Sequence, residues 1–160
     1  MAAGDHDRNL YLWGAMGGAA MVGFGLAQAQ PETPVLVVTG DGEQIMGLGA
    51  LATIATLAPP NLTLVVLDNG HYGETGMQQS HSSKGLSLPG VATACGFPDS
   101  RVVKAGNELT DVISRVHKPY CLGFASIHVQ AQNPTRVLPT RDGIYNKNRF
   151  REALGIAVNL

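Results

Sequence analysis

Val35-Leu-Val-Val-Thr-Gly-Asp-Gly-Glu-Gln44, answered further on by Leu62-Thr-Leu-Val-Val-Leu-Asp-Asn-Gly70, decides the fold. Each stretch is a short apolar run that ends abruptly on polar residues, Gly40-Asp41-Gly42 in the first and Asp68-Asn69-Gly70 in the second. Such runs suit strands buried on both faces, as in parallel sheets. Between them, Gln44 to Ala58 reads as an apolar helix stopped by Pro59-Pro60. Strand, helix and strand make one βαβ unit, whose polar ends lie together beyond the strand C-termini, where open α/β sheets bind ligands. Asp41 and Asn69 supply a carboxylate and an amide oxygen, donors that a hard cation such as Mg²⁺ takes together with phosphate. Gly42 and Glu43 open the next helix, so their backbone N–H groups can face an anion.

Working outward, Leu10–Trp13 reads as a short strand, Gly14–Gly18 as a turn and Ala19–Gln30 as a small-residue helix. Asp68–Gly85 reads as one long polar loop, a length that in compact domains usually signals function. Beyond it the pattern predicts a helix over Leu88–Cys95 with Pro89 in its first turn, a strand over Arg101–Lys104, and a helix over Asn107–Val116 capped by Asn107 or Thr110. Then follow a strand over Cys121–Val129, an extended segment over Asn133–Arg141 and a helix over Asn146–Leu154. Alternating strands and helices predict an α/β fold, three-layered α/β/α, with a mostly parallel central sheet. We expect one domain over residues 1–160, with 130–160 an extended tail and helix.

The 160 residues carry a net charge of −1 and no basic run, so nucleic acid has no electrostatic footprint to bind. Only 14% of residues are charged, which suits a chain whose surface is covered by a partner. Cys95 and Cys121 stand apart in apolar contexts and read as buried free thiols of a reducing cytosol. The apolar stretch Leu10–Ala29 is broken by five glycines and preceded by Asp5, Asp7 and Arg8, so neither a signal peptide nor a membrane span is expected.

The paired motif resembles the diphosphate-binding motif of thiamine diphosphate enzymes, in which a Gly-Asp-Gly triplet is followed by an Asn-Asn or Asp-Asn pair. Gly40-Asp-Gly-Glu-Gln-Ile-Met46, Leu51-Ala-Thr-Ile54, Thr75-Gly76-Met77-Gln78 and Trp13-Gly14-Ala15-Met16-Gly17 are similar to the phosphonopyruvate and sulfopyruvate decarboxylase branch. The resemblance covers about Leu10 to Val129 and implies thiamine diphosphate and Mg²⁺ as cofactors. It implies Asp41, Asn69 and the His71 carbonyl as metal ligands, and Gly40, Gly42 and Glu43 as the diphosphate cradle. It also implies a Gly14 carbonyl that accepts a hydrogen bond from the aminopyrimidine, and a Met16 side chain wedged between the two cofactor rings. Asp68, where the family often has Asn, is expected to order the loop. His71, Thr75 and His81, in the glycine-rich loop, are candidates to touch substrate; Lys84 is a candidate anion contact.

Simpler readings exist for each residue. Asp41 could only cap a helix, but capping does not explain two polar strand ends. Met16 could be a core filler, and the loop histidines could be merely solvated. None of the five glutamates (Glu32, Glu43, Glu74, Glu108, Glu152) lies in a segment like the family's pyrimidine-activating domain. The resemblance therefore implies half a site: a small, beta-type subunit of a cytoplasmic 2-oxo acid decarboxylase. Its partner would be a pyrimidine-binding, alpha-type subunit carrying the activating Glu, in an α₂β₂ or larger complex. Its substrate would resemble sulfopyruvate or phosphonopyruvate. The same half-domain could serve an aromatic 2-oxo acid decarboxylase or a carboligase. In another class, the chain could be a non-catalytic, flavodoxin-like phosphate or nucleotide binder.

Overall fold

A computed structural model describes residues 4–133, 135 and 137–157. The chain divides into two units, Met16–Gln132 and a second drawn from Met1–Ala15 and Asn133–Leu160. The C-terminal segment expected to be a tail and helix is grouped in the second unit with the N-terminal residues.

In the larger unit, α1 (Ala19–Ala29) leads into β1 (Val35–Gly40), which passes without a loop into α2 (Asp41–Met46); α3 (Ala50–Leu57) then leads to β2 (Leu62–Asp68). A short hairpin of two-residue strands, β3 (His71–Tyr72) and β4 (Gln78–Gln79), and a 3₁₀ turn at Ser82–Lys84 follow. The unit is completed by α4 (Leu88–Cys95), β5 (Asp99–Val103), α5 (Gly106–His117) and β6 (Gly123–His128). The four long strands form one wholly parallel sheet in the order β1-β2-β6-β5. Strand side chains alternate between faces. One face buries Val35, Val37, Leu62, Leu64, Val66 and Phe124 against α1, α3 and α4; the Phe97 ring meets Phe124 edge-on with centroids 6.0 Å apart. The other buries Val65, Val103 and Ala125 under Val112 of α5, while Leu36 and Val38 on edge strand β1 stay 45% and 56% exposed.

Single polar groups tie the elements together. The Asn61 amide nitrogen, buried before β2, lies 2.9–3.1 Å from the carbonyls of Ala27, Gln30 and Thr33, joining the end of α1 to the approach to β1. At the far end of the sheet the buried Arg115 guanidinium pairs with Asp99 and donates to the Cys121 carbonyl at 3.1 Å. Gly123 leaves room for it: an added Cβ would lie 2.3 Å from Arg115 Nε.

The structure corrects several expectations. The helix predicted over Gln44–Ala58 is two helices, interrupted at residues 47–49. The interruption has a packing cause, since a Cβ on Gly47 would lie 2.2 Å from the Gly17 carbonyl oxygen. Leu10–Trp13 forms no strand; its side chains bond elsewhere, Tyr11 to Asp5 and Trp13 to the Thr140 carbonyl. The long loop contains the β3–β4 hairpin. Neither Asn107 nor Thr110 caps α5, whose N-cap is Ala105, while Glu108 turns back to accept from the Lys104 N–H at 2.8 Å. The last helix, α6, starts earlier, at Gly143, because Asp142 caps it by accepting from the N–H groups of Ile144 and Tyr145. Cys95 and Cys121 are free but only half-buried. In the extended 133–141 segment, Pro134 and Arg136 lie outside the described residues. Among the described residues no helix is long and apolar enough to cross a membrane.

In the smaller unit, Arg149 of α6 (Gly143–Ala153) holds the N-terminal segment, with Nη1 2.7 Å from Asp5 Oδ2 and Nη2 donating to the Asn9 carbonyl. Hydrogen bonds from Arg149 and Tyr11 hold the Asp5 carboxyl down at a pKa of about 2.

Candidate cofactor-anchoring site

The site begins where β1 and β2 end. Gly40 pairs with Leu67 in the parallel ladder, so Asp41 and Asp68 emerge side by side. Asp41, 2% exposed, starts α2 itself, with Gly40 as an extended N-cap. The backbone N–H groups of Asp41, Gly42 and Glu43 thus fall in a first helical turn, where intrahelical partners are lacking. Gly42 is glycine for a local reason: a Cβ there would lie 2.6 Å from the Tyr72 ring.

Serine hydroxyls link the two strand ends. Ser80 Oγ donates to Asp41 Oδ2. Ser82 Oγ lies 3.0 Å from the same oxygen, 2.7 Å from Asp68 Oδ1 and 2.9 Å from Ser80 Oγ. These four oxygen–oxygen contacts share two hydroxyl protons, and two carboxylates stand among them. A cluster short of protons and carrying two negative groups is electrostatically suited to a cation. Asp68 also accepts from the Gly70 N–H at 3.0 Å, which orders the turn.

Asn69 and His71 are wound onto each other. Asn69 Oδ1 accepts from the His71 N–H at 2.8 Å, and His71 Nδ1 lies 2.9 Å from the Asn69 carbonyl. A carbonyl only accepts, so Nδ1 carries the proton and Nε2 is the imidazole's other face. The Asn69 amide oxygen keeps a second lone pair for a metal. Asp41, Asn69 and the His71 backbone carbonyl are hard oxygen donors, chemistry that fits Mg²⁺. No group of three or more His, Cys, Asp or Glu side chains forms among the described residues, so a softer N/S metal site has no counterpart there.

The other candidates are distributed differently. His81 is exposed and pairs through Nδ1 with the Tyr72 hydroxyl at 3.3 Å. Thr75 is at the hairpin tip, where its hydroxyl donates to Gln78 Oε1 at 3.0 Å; no hydrogen bond links it to the Asp41 cluster. Lys84 ends the 3₁₀ turn, exposed. Gly14, at φ +67°, belongs to the smaller unit, and Met16 opens the larger one. Met16 is 53% exposed, which removes the core-filler reading. Glu43 turns its carboxylate away from the cluster, Oε1 accepting from the Ala19 N–H at 3.0 Å and Oε2 from the Thr39 hydroxyl. On the β6 side of the Asp68–Gly70 turn a cavity of about 390 Å³ opens, lined among others by Ser82, Leu86, Val102, Lys104 and His128. The sequence reading missed Tyr72, Ser80 and Ser82; the one available signal was the run Ser80-His-Ser-Ser83 inside a long polar loop.

The chain is 49% identical over 108 residues to phosphonopyruvate decarboxylase of Streptomyces hygroscopicus, covering 68% of this chain and 26% of that protein. It is 45% identical over 93 residues to sulfopyruvate decarboxylase subunit beta of Methanocaldococcus jannaschii, covering 58% of this chain and 49% of that one. It thus spans about a quarter to a half of these relatives. Among solved structures, the thiamine diphosphate-dependent 4-hydroxybenzoylformate decarboxylase of Rhodococcus jostii superposes with a TM-score of 0.61 at 18% identity, over 72% of this chain and 23% of that one, a likeness of fold. Residues 5–129 match the family described as thiamine pyrophosphate enzyme, C-terminal TPP binding domain, and the chain belongs to that family.

Proposed function

We propose that this chain is the diphosphate-binding, beta-type subunit of a thiamine diphosphate-dependent 2-oxo acid decarboxylase, acting on a sulfopyruvate- or phosphonopyruvate-like acid. The observation that carries the reading is the emergence of Asp41 beside Asp68-Asn69 at paired strand ends, within a proton-poor oxygen cluster. Asp41, Asn69 and the His71 carbonyl would hold Mg²⁺, and the N–H groups of Gly42 and Glu43 would face the diphosphate. Gly14 would accept the aminopyrimidine hydrogen bond. Met16, exposed and apolar, would support the bend between the rings. Bound there, thiamine diphosphate supplies the electron sink that lets a 2-oxo acid lose carbon dioxide. His71, with its Nδ1–H held by Asn69, offers Nε2 toward a reacting group, and His81 and Thr75 are further substrate contacts.

In this reading the activating acid sits on a pyrimidine-binding partner, in an α₂β₂ or larger assembly. The subunit-beta names of the sulfopyruvate decarboxylase relatives support this part of the reading. Two free cysteines suit a reducing, cytoplasmic setting. The test is to assay the purified chain with Mg²⁺, thiamine diphosphate and sulfopyruvate, phosphonopyruvate or phenylpyruvate, with and without a pyrimidine-binding subunit. Activity only in the mixture supports the reading, and the preferred acid separates anionic from aromatic substrates. Robust decarboxylation by the lone chain overturns the half-site. Absence of any cofactor-induced stabilisation leaves a non-catalytic binder.

A further inference from the structure

We propose that the Glu43 side chain is a positioning residue, which fixes the Met16–Gly17 turn against the helix that starts at Asp41. The inference rests on the proposed function and deepens it, because Met16 matters to a cofactor only if one is anchored at Asp41.

Met16 is 53% exposed, so burial does not hold it. Its position must come from the backbone that follows, and that backbone is held at two points. Gly17, at φ +86°, is pressed against the end of α2, where a Cβ on Gly47 would stand 2.2 Å from the Gly17 carbonyl oxygen. Two residues later Ala19, the first residue of α1, needs an acceptor. Its N-cap is Gly18, which has no side chain to supply one. Glu43 reaches across from the first turn of α2 and accepts that N–H at 3.0 Å. Its second oxygen accepts from the Thr39 hydroxyl on β1, which steers the carboxylate. One side chain therefore joins α1, α2 and β1 around the residue that follows the turn.

The charge makes the role testable. A carboxylate beside the anion-facing start of α2 works against a diphosphate there. Removing it should leave the diphosphate anchor intact or strengthen it, while loosening the turn that supports the rings. General loss of structure would weaken both together.

The experiment uses the full chain. In Glu43→Ala, Ala19 amide hydrogen exchange should speed up at least tenfold and the ¹³C-methyl resonance of Met16 should move toward that of free methionine. By calorimetric titration, Mg²⁺–thiamine diphosphate should weaken about tenfold more than Mg²⁺–pyrophosphate, which meets only the residue-43 backbone N–H that alanine keeps. Glu43→Gln, which keeps an acceptor for Ala19, should restore Ala19 protection and thiamine diphosphate affinity. Should Glu43→Ala fail to fold, Glu43→Asp, one methylene too short, gives the same reading. An Ala19 amide that stays protected without the Glu43 side chain, or equal weakening of both ligands, overturns the inference. A wild-type chain that binds neither ligand overturns the cofactor reading instead, and the exchange result still decides whether Glu43 holds the turn.

Discussion

Replacing Asp41 by Asn should separate ligand binding from stability, with opposite signs. Asp41 Oδ2 and Asp68 Oδ1 flank one serine hydroxyl at 3.0 and 2.7 Å, so the two carboxylate oxygens lie within about 6 Å. At an effective dielectric of about 20, two such charges repel by about 3 kcal/mol. Asn removes one charge and keeps an acceptor for Ser80. Loss of charge assistance in the serine hydrogen bonds offsets part of the gain, at about 1 kcal/mol. Ligand-free Asp41→Asn should therefore be about 1–2 kcal/mol more stable than wild type, a rise in Tm of about 2–8 °C for a chain of this size. With Mg²⁺–pyrophosphate at about 100 times the wild-type Kd, wild type gains about 2.7 kcal/mol. A lost anionic ligand weakens binding at least about tenfold, so the variant's gain falls to about half of that or less. Thermal melts of both proteins, with and without Mg²⁺–pyrophosphate, read both effects. A ligand-free variant less stable than wild type would refute the repulsion argument. A ligand-induced shift as large as wild type would refute the metal role of Asp41.

Other perturbations act elsewhere. Asn61→Asp replaces a buried donor to three carbonyls by a carboxylate that can only accept, and should cost about 2–4 kcal/mol in urea unfolding; a loss below 0.5 kcal/mol would mean that the amide is dispensable. Met16→Ala, at a half-exposed position, should change stability by less than about 0.5 kcal/mol yet lower turnover of the assembled enzyme by up to about a hundredfold, more than it lowers cofactor affinity; an unchanged rate would remove Met16 from the site. Asp5 is depressed in the folded state, so its contribution is present above the ordinary carboxyl value of 3.8 and is lost as pH falls through about 2. Fluorescence of Trp13, the sole tryptophan and part of the same unit, should stay constant down to about pH 4 and change between there and pH 2, a change absent in Arg149→Met.

What could be read from the sequence follows the range of the forces involved. β1 and β2 were legible as runs of strand-forming apolar residues, β2 buried on both faces and β1 on one only, and the polar switch at Asp41 and Asp68 marks where the strands end. The site's two poles were legible for the same reason. The break in the predicted 44–58 helix was not, because it comes from Gly17, distant in sequence, pressing on Gly47. The run of large apolar residues Leu10–Trp13 suits a strand, but a ladder needs a partner edge, and local sequence does not tell whether one is offered. Ser80 and Ser82 carry no signal of their own in a polar loop; only the fold brings their hydroxyls to two carboxylates. Tyr72 likewise shows its role only through the glycine it faces.

The pairing of Gly40 with Leu67 sets which changes in length this chain can tolerate. An insertion within β1 or β2 displaces one polar end along the sheet by about 3.3 Å and turns its side chain to the opposite face. An insertion in the crossover, at the prolines before Asn61, leaves that register untouched. The number of residues separating the two motifs is therefore free to drift across evolution, while the lengths of the two strands leading into them are not. A search for distant kin should hold the strand-to-motif distance fixed and let the helical segment vary.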